Sequence, residues 1–553
     1  MASISPTTVL NLLWKAASSD VLHPELMRAV TFTGPDRALA SSFHLTQLAQ
    51  AVIAAAGLSA AAIHRKRGGR AVTFAVDSQR AAVEFHSEVY CKLKHPQTGA
   101  IAPTDELWDK IAGVYRTRDN RWLRLHTNFP HHRDGVLALL NRGPRDGAPP
   151  TEPVVNSSDT VAHALLTMWA AADFEEEATK AGMVVSMMRS APQFWQNHEQ
   201  GRAITELLDA NGGCPVTVRR IDDGSPPKPF TAYKDKDDGG GVRRPLQGVR
   251  VLDLTRIIAA PVGTRTLATY GADVLRLSSP NLPDIDILVK DCGRGKRSAH
   301  VDLTSSNGKS SLANLIRDCD VFVQSYRPGG LEKHGFGSDA CLALRPGLVH
   351  ASLSAYGRAG PWRGKRGFDS LVQTATGFNL DEAREYAKYG SLTSPCLNGR
   401  SLKVADADLA PRPFPVQALD HAAGYLLAFG VQVALLRRAV EGGAYTVDVS
   451  LAETAKFLRD LGQGDPMVSF GGEGLEGGED ALKLPSFEQA WERGYLEEIP
   501  SGWEVPQWGP GVKANMVAVK HAVEFAEDGH QQVWDGRSRS PPVPNGTHPP
   551  DWW

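Results

Sequence analysis

Apolar and polar positions follow two different periods along the chain between residues 245 and 460. Short continuous apolar runs, such as residues 249–254, are typical of buried parallel strands. A helical run at 262–270 follows, and Gly271 stands just past its end. The same alternation continues, with strands predicted at 273–277, 299–303, 320–324 and 348–353 and a helix at 308–319. This order predicts a Rossmann-like, doubly wound α/β domain whose ligands bind outside the carboxyl ends of the strands.

The longest apolar segment, residues 420–438, predicts a central helix. Asp420 stands at its beginning, after Pro413 and Pro415. Aspartate is a preferred N-cap, and a carboxylate there meets the positive end of the helix dipole. The local pattern alone therefore predicts a capping role for Asp420.

A diverged internal repeat is predicted from two segments with the same order of elements. The first has a helix at 43–63, a basic end, two glycines, a strand at 71–76 and a helix at 78–85. The second has the helix 420–438, two glycines, a strand at 445–449 and a helix at 451–458. Thr46 or a neighbour occupies the place of Asp420, so the first copy lacks the carboxylate. Coincidence of a common helix–strand unit is the alternative.

The remaining segments complete the predicted organisation. A hairpin is expected at 115–125, helices at 160–180 and 198–209, a polar insertion at 379–412, a mobile Gly-rich loop at 471–478, a helix at 516–527 and an extended or disordered tail from 537. We divide the chain into a degenerate first copy (1–85), a small α+β domain (86–221), a linker (222–244), a catalytic α/β domain (245–462) and a Gly/Pro-rich C-terminal segment (463–553).

Composition narrows the class of protein. The 553 residues, 42% hydrophobic and 22% charged, are those of a soluble globular protein with more than one domain. A net charge of -2 gives no support for a nucleic-acid or membrane partner, and we expect no stretch long and apolar enough to span a bilayer. Six scattered cysteines argue against a disulfide framework or a zinc site, so a reducing, cytoplasmic location is expected.

Common catalytic motifs are missing from the sequence. It has no G-x-G-x-x-G after the strand 249–254, no G-x-S-x-G, no H-E-x-x-H and no phosphate-binding P-loop. A carboxylate nucleophile is the natural candidate, and Asp420 is one option. Basic clusters at 294–298 and 327–333, with the turn 255–261, lie at predicted strand ends and predict a site for a phosphorylated ligand.

A series of short motifs makes the central region recognisable. They are 246–255 (LQGVRVLDLT), Ala260-Pro261, 271–274 (GADV), 295–298 (GKRS), 327–329 (RPG), 354–357 (SAYG), Gly360-Pro361 and 367–369 (GFD). Together they resemble the family III CoA-transferases, the CaiB/BaiF family, which includes formyl-CoA transferases and 2-methylacyl-CoA racemases. Residues 86–215 more weakly resemble the small domain of that family. Members form interlocked dimers, so the resemblance implies an intramolecular pseudo-dimer or a homodimer.

The resemblance implies CoA transfer from an acyl-CoA thioester to a carboxylic acid, through an aspartyl anhydride and an aspartyl-CoA thioester. Asp420 matches the nucleophile of the family, and Asp369 is expected near it. Acyl-CoA is then a substrate, and no tightly bound cofactor or metal is expected. The positions that match CoA contacts are Ile258, Ala259, Ser279, Val301, Asp302, Leu303, Thr304, Ser325, Tyr326, Arg327, Lys333, Arg366, Gly367 and Phe368.

Two alternatives remain at this stage. Racemases of this fold use a histidine in a Gly-His-Asp segment, where this chain has Phe368, and phenylalanine cannot shuttle a proton. His421 is a possible substitute, although adjacent helix positions point about 100° apart. The second alternative is a non-catalytic scaffold, given the diverged first copy. Departures from the transferase pattern are Ile258, Ser278 with Ser279, and the insertion before Asp420.

Overall fold

The fold is described from a computed structural model. It describes residues 4–17, 24–103, 108–145, 147–233, 243–393, 409–527, 531–534 and 541–552. The helices are α1 (Pro6–Ala17), α2 (Leu45–Lys66), α3 (Ser78–Glu84), α4 (Ser87–Tyr90), α5 (Pro130–Arg142), α6 (Ser158–Met168), α7 (Ala171–Lys180), α8 (Ala191–Trp195), α9 (Glu199–Ala210), α10 (Ala259–Thr269), α11 (Asp286–Cys292), α12 (Ser306–Arg317), α13 (Ser338–Leu344), α14 (Asp369–Thr376), α15 (Phe378–Thr393), α16 (Ala418–Glu441), α17 (Leu451–Asp460), α18 (Pro466–Gly471) and α19 (Phe487–Glu492).

The strands are β1 (Val30–Thr33), β2 (Val72–Asp77), β3 (Lys92–Lys94), β4 (Gly113–Arg116), β5 (Trp122–Leu125), β6 (Val185–Met187), β7 (Val216–Ile221), β8 (Arg250–Leu254), β9 (Asp273–Ser278), β10 (Lys296–His300), β11 (Val321–Gln324), β12 (Val349–Ser354), β13 (Ala444–Ser450), β14 (Leu496–Glu504), β15 (Lys513–Val519), β16 (Phe525–Glu527) and β17 (Gln531–Trp534).

The main sheet has the strand order β10-β9-β8-β11-β12-β13-β7. Its first six strands are mutually parallel, whereas β7 pairs antiparallel with β13. The predicted parallel sheet is therefore confirmed. Within the parallel part of this sheet, the chain runs from β8 outward through β9 to β10. It then returns to β11, which lies on the other side of β8. The strand order thus reverses between β8 and β11, and a crevice forms there at the carboxyl ends.

Helix α16 forms the core against which this sheet packs. All of its residues from Ala418 to Leu436 are buried. It crosses α10 closely because two glycines face each other, and a Cβ on Gly263 would lie 2.7 Å from the carbonyl oxygen of Gly424. This contact brings the first turns of α10 and α16 together beside the crevice.

The sequence led us to expect no segment long and apolar enough to span a membrane. Judged by length and composition alone, this expectation is wrong. Both α2 and α16 meet that criterion. Their apolar windows are, however, completely buried inside the protein, and the two helices pack against each other. Core helices of soluble proteins meet the same criterion, so this observation is weak support for a membrane span.

Three smaller sheets surround the core. In the first, β2 pairs parallel with β1 and antiparallel with β16, which in turn pairs with β17. The second has the order β14-β15-β3. The third contains the predicted hairpin, β4 with β5, and adds β6. Asn120 has φ 59° in the hairpin turn, a left-handed conformation that asparagine tolerates well.

The C-terminal segment corrects one prediction. The helix expected at 516–527 is wrong, because β15 and β16 occupy this stretch. Buried Met516 and Val517 lie on opposite faces of β15 and join two different apolar clusters, which a strand between two packed layers requires. The tail is described from residue 541 and has no regular structure, and His548 N donates to the Ser298 carbonyl at 2.7 Å.

The insertion and the linker are described in part. The insertion predicted at 379–412 begins within α15, and its residues 394–408 lie outside the described residues. Residues 234–242 of the linker also lie outside them. Within the predicted Gly-rich loop, residues 471–478, the structure has tight turns that lead into a short 3-10 helix at Gly478–Leu482.

Candidate active site

The crevice between β8 and β11 is bounded by the turn that joins β8 to α10. Ile257 in this turn has φ 72°, a left-handed conformation that is strained for a β-branched residue. Such strain costs about 1–3 kcal/mol and persists only where the surrounding structure enforces it. Ile257 and Ile258 line a cavity here, so the strained turn forms one wall of the candidate site.

The first turn of α16 forms the opposite wall, and its capping differs from the prediction. Helix α16 begins at Ala418, so Asp420 lies inside the first turn, and the N-cap Gln417 makes no side-chain cap. Asp369 takes that role instead. Its Oδ2 accepts hydrogen bonds from the backbone N–H groups of Leu419 (2.8 Å) and Asp420 (3.0 Å). The expectation that Asp420 caps the helix is therefore wrong, and its carboxylate is left for another use.

Asp369 is itself held rigidly. It is completely buried, and Gln373 donates a hydrogen bond to its Oδ1. The Oε1 of Gln373 accepts in turn from the backbone N–H of Phe414 at 3.0 Å, in the segment that leads into α16. Two segments separated by about fifty residues are thus fixed to each other through one carboxylate and one amide. The Asp369 side chain fixes the backbone from which Asp420 projects.

The Asp420 side chain is 5% exposed and points into a narrow cavity. Among the described residues, none donates a hydrogen bond to its carboxylate. The cavity volume is about 30 Å³, enough for roughly one or two water molecules, so a substrate has to widen it. Its other lining residues are Glu88, Trp108, His126, Asn128, Ile257, Ile258, Ile285, Leu288, Phe368, Ser370 and Gln417.

Three carboxyl groups determine the electrostatics of this cavity. Burial, with the Asp369 and Glu88 carboxylates nearby, raises the pKa of Asp420 well above its ordinary value. Burial also raises the pKa of Asp369, and its hydrogen bonds offset part of that effect. Burial opposes ionisation of Glu88, but hydrogen bonds from His421 and His86 outweigh it and lower the Glu88 pKa. Asp420 therefore faces the negative charge of Glu88 in addition to that of Asp369.

His421 does not reach the cavity. Its ring is completely buried, and Nε2 lies 3.1 Å from Glu88 Oε2. The ring also stacks on Phe85 with a centroid separation of 5.5 Å. Although it is adjacent to Asp420 in sequence, His421 positions Glu88 and does not line the site, so it cannot replace the missing histidine.

The predicted CoA-contact residues lie on the loops at the carboxyl edge of the sheet. Ile258 and Ala259 begin α10, Ser279 follows β9, residues 301–304 follow β10, and residues 325–327 follow β11. Lys333 is exposed in a 3-10 helix, Glu332–His334. Residues 366–368 directly precede α14, and Phe368 lines the cavity. The structure thus places these residues around one edge, and their contact with CoA stays a prediction.

Basic groups gather on the solvent side of this edge. Arg366 Nη1 lies 2.9 Å from His132 Nε2, and Arg327 Nη1 donates to the carbonyl of Gly364 at 3.2 Å. Burial, reinforced by the nearby guanidinium of Arg327, lowers the pKa of Arg366. Arg256 lies 5.3 Å above the Phe129 ring in the same region. Like charges held this close favour an anionic ligand.

The basic cluster predicted at 294–298 does not take part. Lys296 starts β10, at the amino edge of the sheet. It is 1% exposed, and its Nζ donates to Asp253 Oδ2 (2.9 Å), Thr264 Oγ1 (2.7 Å) and the Pro261 carbonyl (3.0 Å). The expectation of a ligand contact from this cluster is wrong for Lys296, whose role is to fix α10 to β8.

Glu88 and His126 were missed by the sequence reasoning. Glu88 pairs with a histidine 333 positions away, and no local pattern indicates such a contact. His126 follows the predicted hairpin, where an isolated histidine carries no chemical signal. Only packing of these sequence-distant segments against the first turn of α16 brings them to Asp420.

Comparisons with known proteins identify the central region. Residues 246–461 match the model of CoA-transferase family III. "Acetyl-coenzyme A transferase nodX" from Hypoxylon pulicicidum is 27% identical over 421 residues, which cover 70% of this chain and 64% of that protein. "Probable fatty acyl-CoA transferase Rv3272" from Mycobacterium tuberculosis is 31% identical over 229 residues, covering 39% and 52%. Residues 246–461 therefore form a region similar to CoA-transferase family III.

Among solved structures, a CaiB/BaiF family protein from Brucella suis matches at 26% identity with a TM-score of 0.31. That match covers 39% of this chain and 56% of the other. The chain spans about half to two thirds of the length of the curated relatives given above.

The Glu88 charge beside Asp420 gives a prediction for pH dependence. Glu88→Gln removes one of the negative charges near Asp420, so the Asp420 pKa falls and more of its carboxylate is ionised at a given pH. If the Asp420 carboxylate is the reacting group, we expect the acid limb of the pH–rate profile to move to lower pH. Single-turnover rates between pH 4 and 9 measure this. Glu199→Gln, an exposed change on α9, should leave the limb in place, and an unmoved or raised limb in Glu88→Gln contradicts the assignment.

Proposed function

We propose that this protein transfers CoA from an acyl-CoA thioester to a carboxylic acid, with Asp420 as the nucleophile. One observation carries the proposal. The Asp420 carboxylate has no hydrogen-bond donor among the described residues, while Asp369 fixes the backbone on which it stands. A structural carboxylate would be paired at this depth of burial. Relatives include proteins named formyl-CoA:oxalate CoA-transferase and succinyl-CoA:glutarate CoA-transferase, which supports the reaction class.

The proposed chemistry has two exchanges. An Asp420 oxygen attacks the thioester carbonyl carbon, and collapse of the tetrahedral intermediate expels CoA thiolate and leaves a mixed anhydride. The thiolate attacks the Asp420 carbonyl, which releases the donor acid and forms an aspartyl-CoA thioester. The acceptor carboxylate then attacks this thioester, which expels CoA thiolate and forms a second mixed anhydride. The thiolate finally attacks the acceptor carbonyl of that anhydride, which gives the new acyl-CoA and releases the Asp420 carboxylate.

Water exclusion is the main requirement of this sequence, because hydrolysis of the anhydride or the thioester would waste the donor. The narrow cavity and the apolar side chains of Ile257, Ile258 and Leu288 support such exclusion. The burial that raises the Asp420 pKa also makes its ionised form a stronger nucleophile, since it lacks solvating hydrogen bonds.

We also propose that the chain is an intramolecular pseudo-dimer formed by a diverged duplication. Two sets of three strands support this duplication. In the first set β13 pairs parallel with β12 and antiparallel with β7, and in the second set β2 pairs parallel with β1 and antiparallel with β16. The strand β7 ends the small domain and joins the catalytic sheet, whereas β16 follows β15 and joins the sheet of the first copy. Each proposed half, one built on residues 1–85 and the other on residues 245–462, therefore contains a strand from outside its own segment. We expect the two halves to unfold together, and the Arg265→Met variant tests this expectation.

The decisive experiment is peptide mass spectrometry after incubation with acetyl-CoA, succinyl-CoA, formyl-CoA and palmitoyl-CoA. We expect a CoA or acyl adduct on the peptide that contains Asp420 in the wild type and no adduct in Asp420→Asn. An adduct on another residue would reject Asp420 as the nucleophile. Hydrogen exchange next to the thioester in deuterated water, without an adduct, would indicate an isomerase.

A further inference from the structure

A histidine from the small domain lines the same cavity as Asp420. His126 directly follows β5, and its ring is 7% exposed. It stacks on Phe368 with a centroid separation of 4.0 Å and an interplanar angle of 14°. Phe368 precedes Asp369, which orients the first turn of α16. The family motif at 367–369 and the small domain therefore meet face to face at this ring.

The orientation of the imidazole is fixed from two sides. The backbone N–H of His126 donates to the Val184 carbonyl at 3.1 Å, next to β6. Stacking on Phe368 sets the plane of the ring. Nδ1 is enclosed and has no hydrogen-bond partner among the described residues. Nε2 is thus the ring nitrogen that can meet a ligand in the cavity.

The cavity itself favours a proton on Nε2. Two carboxylates, Glu88 and Asp420, line it with His126, and both are hydrogen-bond acceptors. A proton on the enclosed Nδ1 would have no acceptor among the described residues beyond the backbone of His126 itself. The tautomer with Nε2–H presents a fixed donor to whatever enters between the ring and Asp420.

We propose that His126 is a catalytic residue whose Nε2–H donates a hydrogen bond to the acyl carbonyl oxygen as Asp420 attacks the thioester. This role rests on the proposed CoA transfer. When the bond from Asp420 Oδ to the carbonyl carbon forms, the carbonyl π electrons move to oxygen, and Nε2–H stabilises that oxyanion. When the C–S bond breaks, the electron pair leaves with CoA thiolate and the carbonyl re-forms. No proton changes place.

The surroundings explain why the ring donates a hydrogen bond and does not transfer the proton. Burial, with the Arg124 guanidinium nearby, lowers the pKa of His126 to about 3. The imidazole is then neutral at physiological pH, and a base this weak cannot remove a proton next to a thioester. A neutral imidazole can still act as an electrophile, as other enzymes show. His126, which stacks on Phe368, therefore does not restore the acid/base chemistry of the racemases.

The experiment measures the rate of Asp420 acylation in single turnovers with acetyl-CoA, succinyl-CoA and palmitoyl-CoA. Removing one oxyanion donor lowers kcat by about 10²–10³-fold. We expect His126→Leu to lose acylation rate by that factor with little change in the Kd of CoA. His126→Gln, which keeps an N–H donor, should recover part of the rate. His163→Gln, an exposed histidine on α6, is the matched control.

The outcomes separate this role from other failures. Acylation of His126→Leu within threefold of wild type overturns the proposal. A loss in His126→Leu accompanied by an equal loss in CoA affinity also overturns it, because ground-state binding would then explain the effect. If His126→Leu does not fold, the comparison of His126→Gln with wild type decides, and its pH profile should stay parallel to that of wild type. Absence of an Asp420 adduct in wild type rejects the proposed function itself.

Discussion

Asp420→Asn is expected to abolish CoA transfer and to make the protein more stable at neutral pH. The loss of activity should be about 10⁴-fold or more, since an amide cannot form the anhydride. The gain in stability has an electrostatic cause, because the wild type buries this carboxylate beside Asp369 and Glu88 without a hydrogen-bond donor from the described residues. Removing the charge relieves that repulsion.

The sign of the effect follows from proton linkage. The pKa of Asp420 is higher in the folded protein than in the unfolded chain, so the folded state binds this proton more strongly. Its contribution to stability is present below the ordinary aspartate pKa of about 3.9 and is lost as pH rises through the raised value. The difference in Tm between Asp420→Asn and wild type should therefore be smallest near the ordinary aspartate pKa and should grow as pH rises toward the raised value.

Differential scanning calorimetry across pH 4–8 measures the stability, and steady-state transfer measures the activity. A gain of about 1 kcal/mol raises the Tm of a domain of 150–250 residues by about 2–4 °C. Asp339→Asn changes an exposed carboxylate at the start of α13 and should alter neither quantity. A lower Tm for Asp420→Asn at pH 7, or retention of a tenth of the activity, would contradict this account.

The alternation of apolar runs predicted the main sheet because its parallel strands are almost entirely buried on both faces. Residues 249–254 and 320–324 carry that signal in their own sequence, and β8 and β11 occupy them within one residue at each end. The helix predicted at 516–527 failed for the opposite reason. The stretch Lys513–Val519 is the middle strand of a sheet, paired with β14 on one side and with the sequence-distant β3 on the other, so strand pairing decided its conformation.

The sequence predicted only those residues of the site that belong to local motifs. Asp369 and Asp420 belong to motifs that the sequence displays, and the structure brings them together. The cap on α16 could not be predicted, because the side chain that provides it comes from a position 51 residues earlier. Glu88 and His126 lie outside the catalytic domain. They join the site through packing of segments far apart in sequence, for which single-sequence patterns contain no signal.

Arg265→Met should destabilise the protein more than any surface change. Arg265 is 3% exposed on α10, and its Nη1 donates to Asp291 Oδ2 at 2.5 Å and to Ser87 Oγ at 3.0 Å. Burial alone would lower its pKa, but the Asp291 carboxylate outweighs burial and raises it. Removing one partner of a buried ion pair costs about 3–5 kcal/mol, because the other charge stays buried without its compensation.

The network around Arg265 also joins the two proposed halves of the chain. Asp291 Oδ1 accepts from Arg294 Nη2 at 2.9 Å, and Arg294 Nη1 donates to the Val519 carbonyl at 2.6 Å. Ser87, at the start of α4, donates to Asp291 Oδ2 at 2.7 Å. Since Glu88 follows Ser87, the same network holds Glu88 against the cavity. Loss of Arg265 should therefore weaken both the fold and the alignment of the site.

Urea unfolding followed by tryptophan fluorescence and by circular dichroism measures this effect. We expect the midpoint of Arg265→Met to fall while the two signals stay coincident, which indicates that both halves unfold together. Arg317→Met, an exposed change on α12, should shift stability by no more than about 0.5 kcal/mol. Arg265→Met with Asp291→Leu should recover only part of the loss, because Arg294 then lacks its carboxylate. Separate transitions by the two probes would contradict the exchanged-strand arrangement, and a midpoint equal to that of wild type would contradict a stabilising role for this ion pair.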